Sequence, residues 1–233
     1  MTRTFEGRIF HGLRGTDLSA PLEGLVFKKC TFTSCILNST TRSPGARAII
    51  RDISLVGCNE TGCRVQGAIV EDCLIDGLKT SDLFIPNGTA FRHVVLRGRI
   101  DRVMLGASLA GIPDDATDRA FQEANKAFYK SVDWALDISH IDVQELDIQA
   151  GIPAHLIRRD PTRHILFRRD KLMDQRWRQF DLKGLGGLRV FLDDTLRYES
   201  GDGVFVIPDR DQRRKQILAA VQRLRDEGIA ELD

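Results

Sequence analysis

The sequence predicts a mainly β chain: a short, irregular stack of extended units, interrupted by one helix and followed by an α/β cap. Three observations carry this. Apolar residues recur every five positions through much of residues 1–150, all five cysteines fall on one track of that recurrence, and near Gly151 the recurrence gives way to helical and strand patterns.

The recurrence is first clear in residues 20–37, where Leu22, Phe27, Phe32 and Leu37 are each preceded, two positions earlier, by Ala20, Leu25, Cys30 and Cys35. After a polar break from Asn38 to Arg47 it resumes with shifted phase. One track holds Ile50, Leu55, Val65, Val70, Ile75 and Ile85; the other holds Ala48, Ile53, Cys58, Cys63, Ala68, Cys73, Leu78 and Leu83. Glu60 and Thr80 break the first track. A period of five matches neither the 3.6 of a helix nor the unbroken alternation of a long strand. Positions two apart still face one way, as in a very short strand. A chain that runs briefly extended, turns a corner and repeats, stacking coil on coil as a solenoid, reconciles the two. Evenly spaced antiparallel hairpins are the alternative. Residues 86–110 keep only fragments of the pattern, Val94/Leu96 and Val103/Leu105.

A helix is expected at about 114–133, where Pro113-Asp114-Asp115-Ala116 is followed by Ala120, Phe121, Ala124, Phe128 and Val132 at helical spacing. Acidic residues suit the positive end of its dipole. Five-residue units return after it, which makes the helix an excursion packed on the stack. They read Leu136-Asp137-Ile138, Ile141-Asp142-Val143 and Leu146-Asp147-Ile148.

These units resemble the pentapeptide-repeat family, whose members repeat roughly Ala-(Asp/Asn)-Leu-x-x. The resemblance covers about half the chain and implies a short, irregular right-handed β-helix of four sides. The central apolar residue and the small residue two before it would point inward. The earlier units depart from the family by mostly lacking the Asp or Asn and by often placing Leu or Ile where Ala is usual.

From Gly151 to Asp233 the sequence predicts a C-terminal α/β capping region, with residues 1–150 as the repeat region. Ile165-Leu166-Phe167 reads as a short apolar run, and a helix is expected through Leu172-Met173 and Trp177. Val204-Phe205-Val206-Ile207 reads as a strand. Pro208-Asp209 is expected to cap a last helix with Ile217, Val221 and Leu224 on its apolar face and Gly228 at its end.

Composition bounds the function. Lys+Arg 34 against Asp+Glu 33 gives a net charge of +1, so no chain-wide field draws the protein to nucleic acid or an acidic membrane. Residues 1–112 carry 14 Lys+Arg against 10 Asp+Glu, net +4. Some pentapeptide-repeat proteins imitate duplex DNA with an acidic rod, a role this balance disfavours. The start has no apolar leader, and no window approaches the ~18 apolar residues of a membrane span, so a cytoplasmic location without membrane is expected. An odd set of cysteines without a Cys-x-x-Cys pair is neither a disulfide framework nor a zinc signature.

No catalytic, cofactor-binding or metal-ligating constellation stands out. Gly184-Leu185-Gly186-Gly187-Leu188-Arg189 lacks the last glycine of a dinucleotide fingerprint. Ser108 in Gly106-Ala107-Ser108-Leu109-Ala110 misses the nucleophile elbow. His11, His93, His140, His155 and His164 show no ligand spacing. The leading interaction patch is Arg158, Arg159, Arg163, Arg168, Arg169, Lys171, Arg176 and Arg178, a surplus of five over Asp160, Asp170 and Asp174, with Phe167 and Trp177 interleaved. Its bland counterpart is a solvated face paired with nearby aspartates. The expectation is a non-enzymatic scaffold or adaptor whose partner is another protein. The alternative is a phosphate-bearing ligand or nucleic acid held by the arginines. The sequence sets no oligomeric state.

Overall fold

The computed structural model describes residues 2–15, 21–37, 42–111, 115–148, 151–185, 187–197 and 201–231. Ala20, Asn38, Pro113, Asp114 and Gly186, which the sequence analysis used, lie outside them. The chain is mainly β, with most strands parallel and a few helices. Successive passes lie side by side. The first gives β1 (Arg3–Glu6), β2 (Ile9–His11) and β3 (Arg14–Gly15), the second β4 (Leu22–Lys28), β5 (Thr31–Thr33) and β6 (Ile36–Leu37). Next come β7 (Ile49–Thr61), β8 (Arg64–Gln66), β9 (Ile69–Glu71), β10 (Leu74–Thr80), β11 (Pro86–Asn87), β12 (Ala90–Arg92) and β13 (Val94–Leu105). Beyond a helix follow β14 (Leu136–Asp137), β15 (Ile141–Ile148) and β16 (Ile157–Arg158).

The larger sheet runs β1-β4-β7-β10-β13-β14-β16, and a second runs β3-β6-β8-β11. Register partners lie 20–22 residues apart, rising to 28 across residues 38–47 and to 42–43 across the inserted helix. Like positions of the five-residue rhythm therefore stack as ladders. Phe5, Phe27, Leu55, Ile75 and Leu96 form one. Leu22, Ile50, Val70 and Phe91 form a second, Leu37, Val65 and Pro86 a third. On the fourth, Phe10 and Phe32 are followed by Glu60 and Thr80, so the two residues that break the apolar track are neighbours in register.

The backbone explains the period. Left-handed residues recur at 24, 29 and 34, at 52, 57, 62, 67, 72 and 77, and at 88, 93 and 98, one in each five. Each turns the chain through a corner while ladder bonds to the adjacent pass continue, as from Lys29 N–H to the Val56 carbonyl at 2.8 Å. β7 and β13 accordingly run 13 and 12 residues through such corners, longer than the one-unit strands the rhythm predicts. Residues 86–110 are also more regular than their sequence suggests, since β12 and β13 pair along their length with β9, β10 and β15.

All five cysteines are free; Cys30, Cys58 and Cys73 are buried, Cys35 and Cys63 half-buried. Thiols of Cys30, Cys35 and Cys58 donate to the Phe5, Phe10 and Phe27 carbonyls of the preceding pass, 3.4–3.5 Å away. A small apolar side chain with one weak donor suits that position.

The excursion is α1 (Asp115–Tyr129). Its buried face is Phe121, Asn125 and Tyr129, followed by Val132; Ala120, expected on the apolar stripe, is exposed. Polar anchors decide this rotation. Asn125 accepts from Arg47 at 2.7 Å and donates to the Gly88 carbonyl, and the Tyr129 hydroxyl accepts from Phe91 N–H at 3.1 Å. Arg47 also lies over the Phe121 ring, 4.8 Å from its centroid.

Residues 151–231 add an antiparallel ribbon, β17 (His164–Phe167) with β18 (Gly203–Val206), and helices α2 (Arg169–Leu172), α3 (Leu188–Arg197) and α4 (Arg214–Asp226). The ribbon is a wall shared by two cores. Val204 and Val206 join the core of the parallel sheets, while Phe205 and Ile207 join a second core with Trp177, Leu192, Ile217, Val221 and Leu224. Two local expectations are corrected and one helix is added. The segment from Leu172 to Trp177 is not one helix, because left-handed Gln175 separates α2 from a 3-10 turn at Arg176–Gln179. Pro208-Asp209 does not cap α4, which begins after Arg213; Asp209 accepts from Arg163 instead. The α3 helix was not expected, since the glycines before it masked a stripe at Leu188 and Leu192.

Candidate functional site

The arginine-rich segment is largely paired within the protein. Arg163 donates to Asp160, Asp209 and the carbonyls of Ser139 and Ile141, and so pins the ribbon to the sheet edge at β15. Arg168 meets Asp202 and Glu231, Arg176 meets Asp174, and Arg178 meets Asp193 while lying over Trp177. Arg159 donates to the His164 carbonyl, and Arg169 donates to the Leu196 carbonyl. Arg158 stacks on Trp134, 4.1 Å from the ring centroid. Lys171, at the exposed end of α2, has no carboxylate within ion-pair distance among the described residues. Carboxylates that sequence distance hides, Asp193, Asp202, Asp209 and Glu231, thus pair with Arg163, Arg168 and Arg178.

The histidines do not converge, and the described residues hold no group of three metal-ligating side chains. His164 is buried, accepts from Asp160 N–H, and is pushed down to about 4 by burial. His93 lies between Asp133 at 2.6 Å and Asp72 at 2.9 Å and against the Trp134 ring. The Ser108 hydroxyl accepts from Gln122 at 3.4 Å. In the glycine-rich turn, Gly184 and Gly187 are left-handed, and the Gly184 carbonyl takes a hydrogen bond from Arg213.

The feature built by the fold is an apolar cavity of about 400 Å³, open at the first pass and lined by residues of all four ladders. Its wall reaches from Phe5 and Phe10 of the first pass to Leu136 and is apolar except at Glu60 and Arg64. Burial along it is graded. In the first pass Ile9 and Leu13 are 77% and 52% exposed and Phe5 and Phe10 half-buried, whereas Leu96, Ile100 and Leu136 are 5% exposed or less. Leu55, Val65, Val70 and Ile75 stay only half-buried in the middle passes because they face this volume.

Glu60 is the cavity's one buried carboxylate. Its Oε1 accepts from Cys63 N–H at 2.6 Å, and burial pushes its pKa up. At the open end Phe5 stacks on Phe27 and Phe10 on Phe32, at 5.3 and 5.2 Å with interplanar angles of 12° and 13°. The Arg3 guanidinium lies 4.7 Å from the Phe5 centroid. The five-residue rhythm already reaches this end in the sequence, where Phe5 and Phe10, like Gly7 and Gly12, are five residues apart. No protein-family model matches the chain, and no curated protein matches it.

Proposed function

We propose that the chain is a non-enzymatic protein-interaction scaffold. On this reading its passes wind as a short, irregular right-handed β-helix of the pentapeptide-repeat kind, covered at one end by residues 151–231. Support comes from register steps of 20–22 residues, close to four five-residue units, and from one left-handed corner in each five. A cytoplasmic setting fits five unpaired thiols.

The observation that carries the reading is the bare first pass. Among the described residues β1, β2 and β3 pair on one side only, and Ile9 in β2 and Leu13 between β2 and β3 are exposed. Unpaired strand edges are templates for strand addition, and exposed apolar residues beside them supply burial. Arg8 and Arg14 on the same pass have no carboxylate partner among the described residues, which favours a partner segment that is extended, apolar and acidic.

The test is capture of partners by the tagged full chain from its host lysate, with nuclease present, beside an Ile9→Glu/Leu13→Glu variant. A stoichiometric protein retained by the wild type and lost by the variant is expected. Recovery of nucleic acid, or of the same proteins by both, overturns the reading and moves attention to the arginine-rich segment.

A further inference from the structure

We propose that the axial cavity binds one long-chain fatty acid, its alkyl chain lying along the four ladders and its carboxylate at Arg3. The site uses the inside of the stack and shares Leu13, Arg8 and Arg14 of the first pass with the edge of the scaffold reading, so binding by the Ile9→Glu/Leu13→Glu variant separates the two.

Length and chemistry of the cavity select this ligand class. From Phe5 to Ile75, beyond which Leu96 and Leu136 are 5% exposed or less, the wall crosses three strand spacings, about 14 Å at ~4.8 Å each. An acyl chain filling half of the ~30 Å hydrocarbon core of a bilayer is about that long, so a single chain fits along the cavity. Apart from Glu60, Arg64, Pro86 and the thiols of Cys35, Cys63 and Cys73, the wall is made of Leu, Ile, Val and Phe side chains, with few donors or acceptors to orient a polar ligand. A flexible aliphatic chain meets such a wall by burial alone.

The head group follows from the charges at the open end. Arg3 lies over Phe5, a wall residue, and meets no carboxylate among the described residues; Arg8 and Arg14 share that pass, whose one acidic side chain among the described residues is Glu6. An anion entering there meets a guanidinium able to bind it through two N–H groups. Glu60 lies deeper, in the third pass, where Cys63 N–H holds one carboxyl oxygen, and burial raises its pKa.

The test is titration of delipidated full-length protein with cis-parinaric acid, a fluorescent fatty acid, followed by displacement. Saturable one-to-one binding is expected, with displacement by palmitate and about fourfold weaker competition for each methylene removed from the competitor. Val70→Trp fills the mid-channel and should abolish binding while circular dichroism is retained; Leu55→Phe is the milder variant if Val70→Trp fails to fold. Arg3→Glu should weaken palmitate about tenfold and leave its methyl ester unchanged. Absence of saturable binding overturns the proposal. So does unchanged binding by the folded filling variant, which would place the probe on exposed Ile9 and Leu13. Equal losses for palmitate and ester in Arg3→Glu overturn the assignment of the head group.

Discussion

The Glu60 carboxylate accepts the backbone N–H of Cys63 at 2.6 Å, and with that bond an acidic side chain occupies a place the five-residue rhythm reserves for an apolar one. Burial is the larger influence and raises the Glu60 pKa above its ordinary 4.5, the Cys63 bond opposing it. The folded protein therefore holds this proton at pH values where the unfolded chain has released it. The resulting stability is fully present below the unfolded pKa and is lost as pH rises through the folded one. Glu60→Gln keeps an acceptor for Cys63 and removes the titration. Urea midpoints from pH 4 to 7 should carry this downward component in wild type and lack it in Glu60→Gln; identical profiles would refute it.

Gly67 combines a left-handed backbone with close packing. A Cβ there would lie 2.6 Å from Phe121 Cε1 and 3.3 Å from Leu109 Cδ2. Gly67→Ala should destabilise the protein by about 2–4 kcal/mol, from backbone strain and overpacking together. Gly12→Ala, with the same backbone sign and nothing within 4 Å, should lose only the backbone share. Denaturant unfolding of the two variants gives the comparison.

The cysteine track gives a chemical signature. Burial pushes the Cys63 and Cys73 thiols up to about 11 and raises Cys58. At pH 8 the thiolate fraction of a group at 11 is on the order of a hundredfold below that of an ordinary thiol. A disulfide reagent should label Cys58, Cys63 and Cys73 slowly in native protein and all five cysteines rapidly in denaturant, read by mass spectrometry. Fast native labelling of these three would remove them from the core.

His93 bonds Asp133 at 2.6 Å and Asp72 at 2.9 Å through its two ring nitrogens, an arrangement that suits the imidazolium. Its pKa is raised above 6.5, chiefly by the Asp133 hydrogen bond. The contribution to stability is full below the unfolded pKa and is lost as pH rises through the folded value. An NMR titration of the ring protons should give a midpoint above 6.5 in wild type that falls in Asp133→Asn.

Two arginines from the same segment should behave differently. Arg163 is mostly buried and ties Asp160, Asp209 and the carbonyls of Ser139 and Ile141 together, so Arg163→Ala should cost about 2–3 kcal/mol. Arg178 pairs with Asp193 at the surface, and Arg178→Ala should cost less than ~1 kcal/mol. Equal thermal shifts in the two variants would contradict these assignments.

Much of the fold was legible because one constraint repeats. A left-handed corner every five residues forces small and large apolar side chains into fixed places, and Cys30, Cys58, Cys73, Ile75 and Leu96 show it residue by residue. The α1 rotation was not legible, because Asn125 and Tyr129 are buried through hydrogen bonds to Arg47 and Phe91, 78 and 38 residues away. Nor was the break between Leu172 and Trp177, which turns on one left-handed backbone at Gln175. For the arginine-rich segment the sequence showed the cations, while the carboxylates that pair with them are brought in from up to 63 residues away.

The sequence by itself determined that this protein is mainly β, that its cysteines belong with the small apolar residues, and that Glu60 and Thr80 are exceptions on an apolar track. Each follows from local spacing, which the backbone imposes wherever it turns. Only the tertiary structure decided that Glu60 and Thr80 stand side by side, that the ladders enclose a cavity, and that the ribbon β17–β18 serves two cores. Those features depend on the register between passes 20 or more residues apart and on how completely opposing ladders fill the space between them, quantities set by packing in three dimensions.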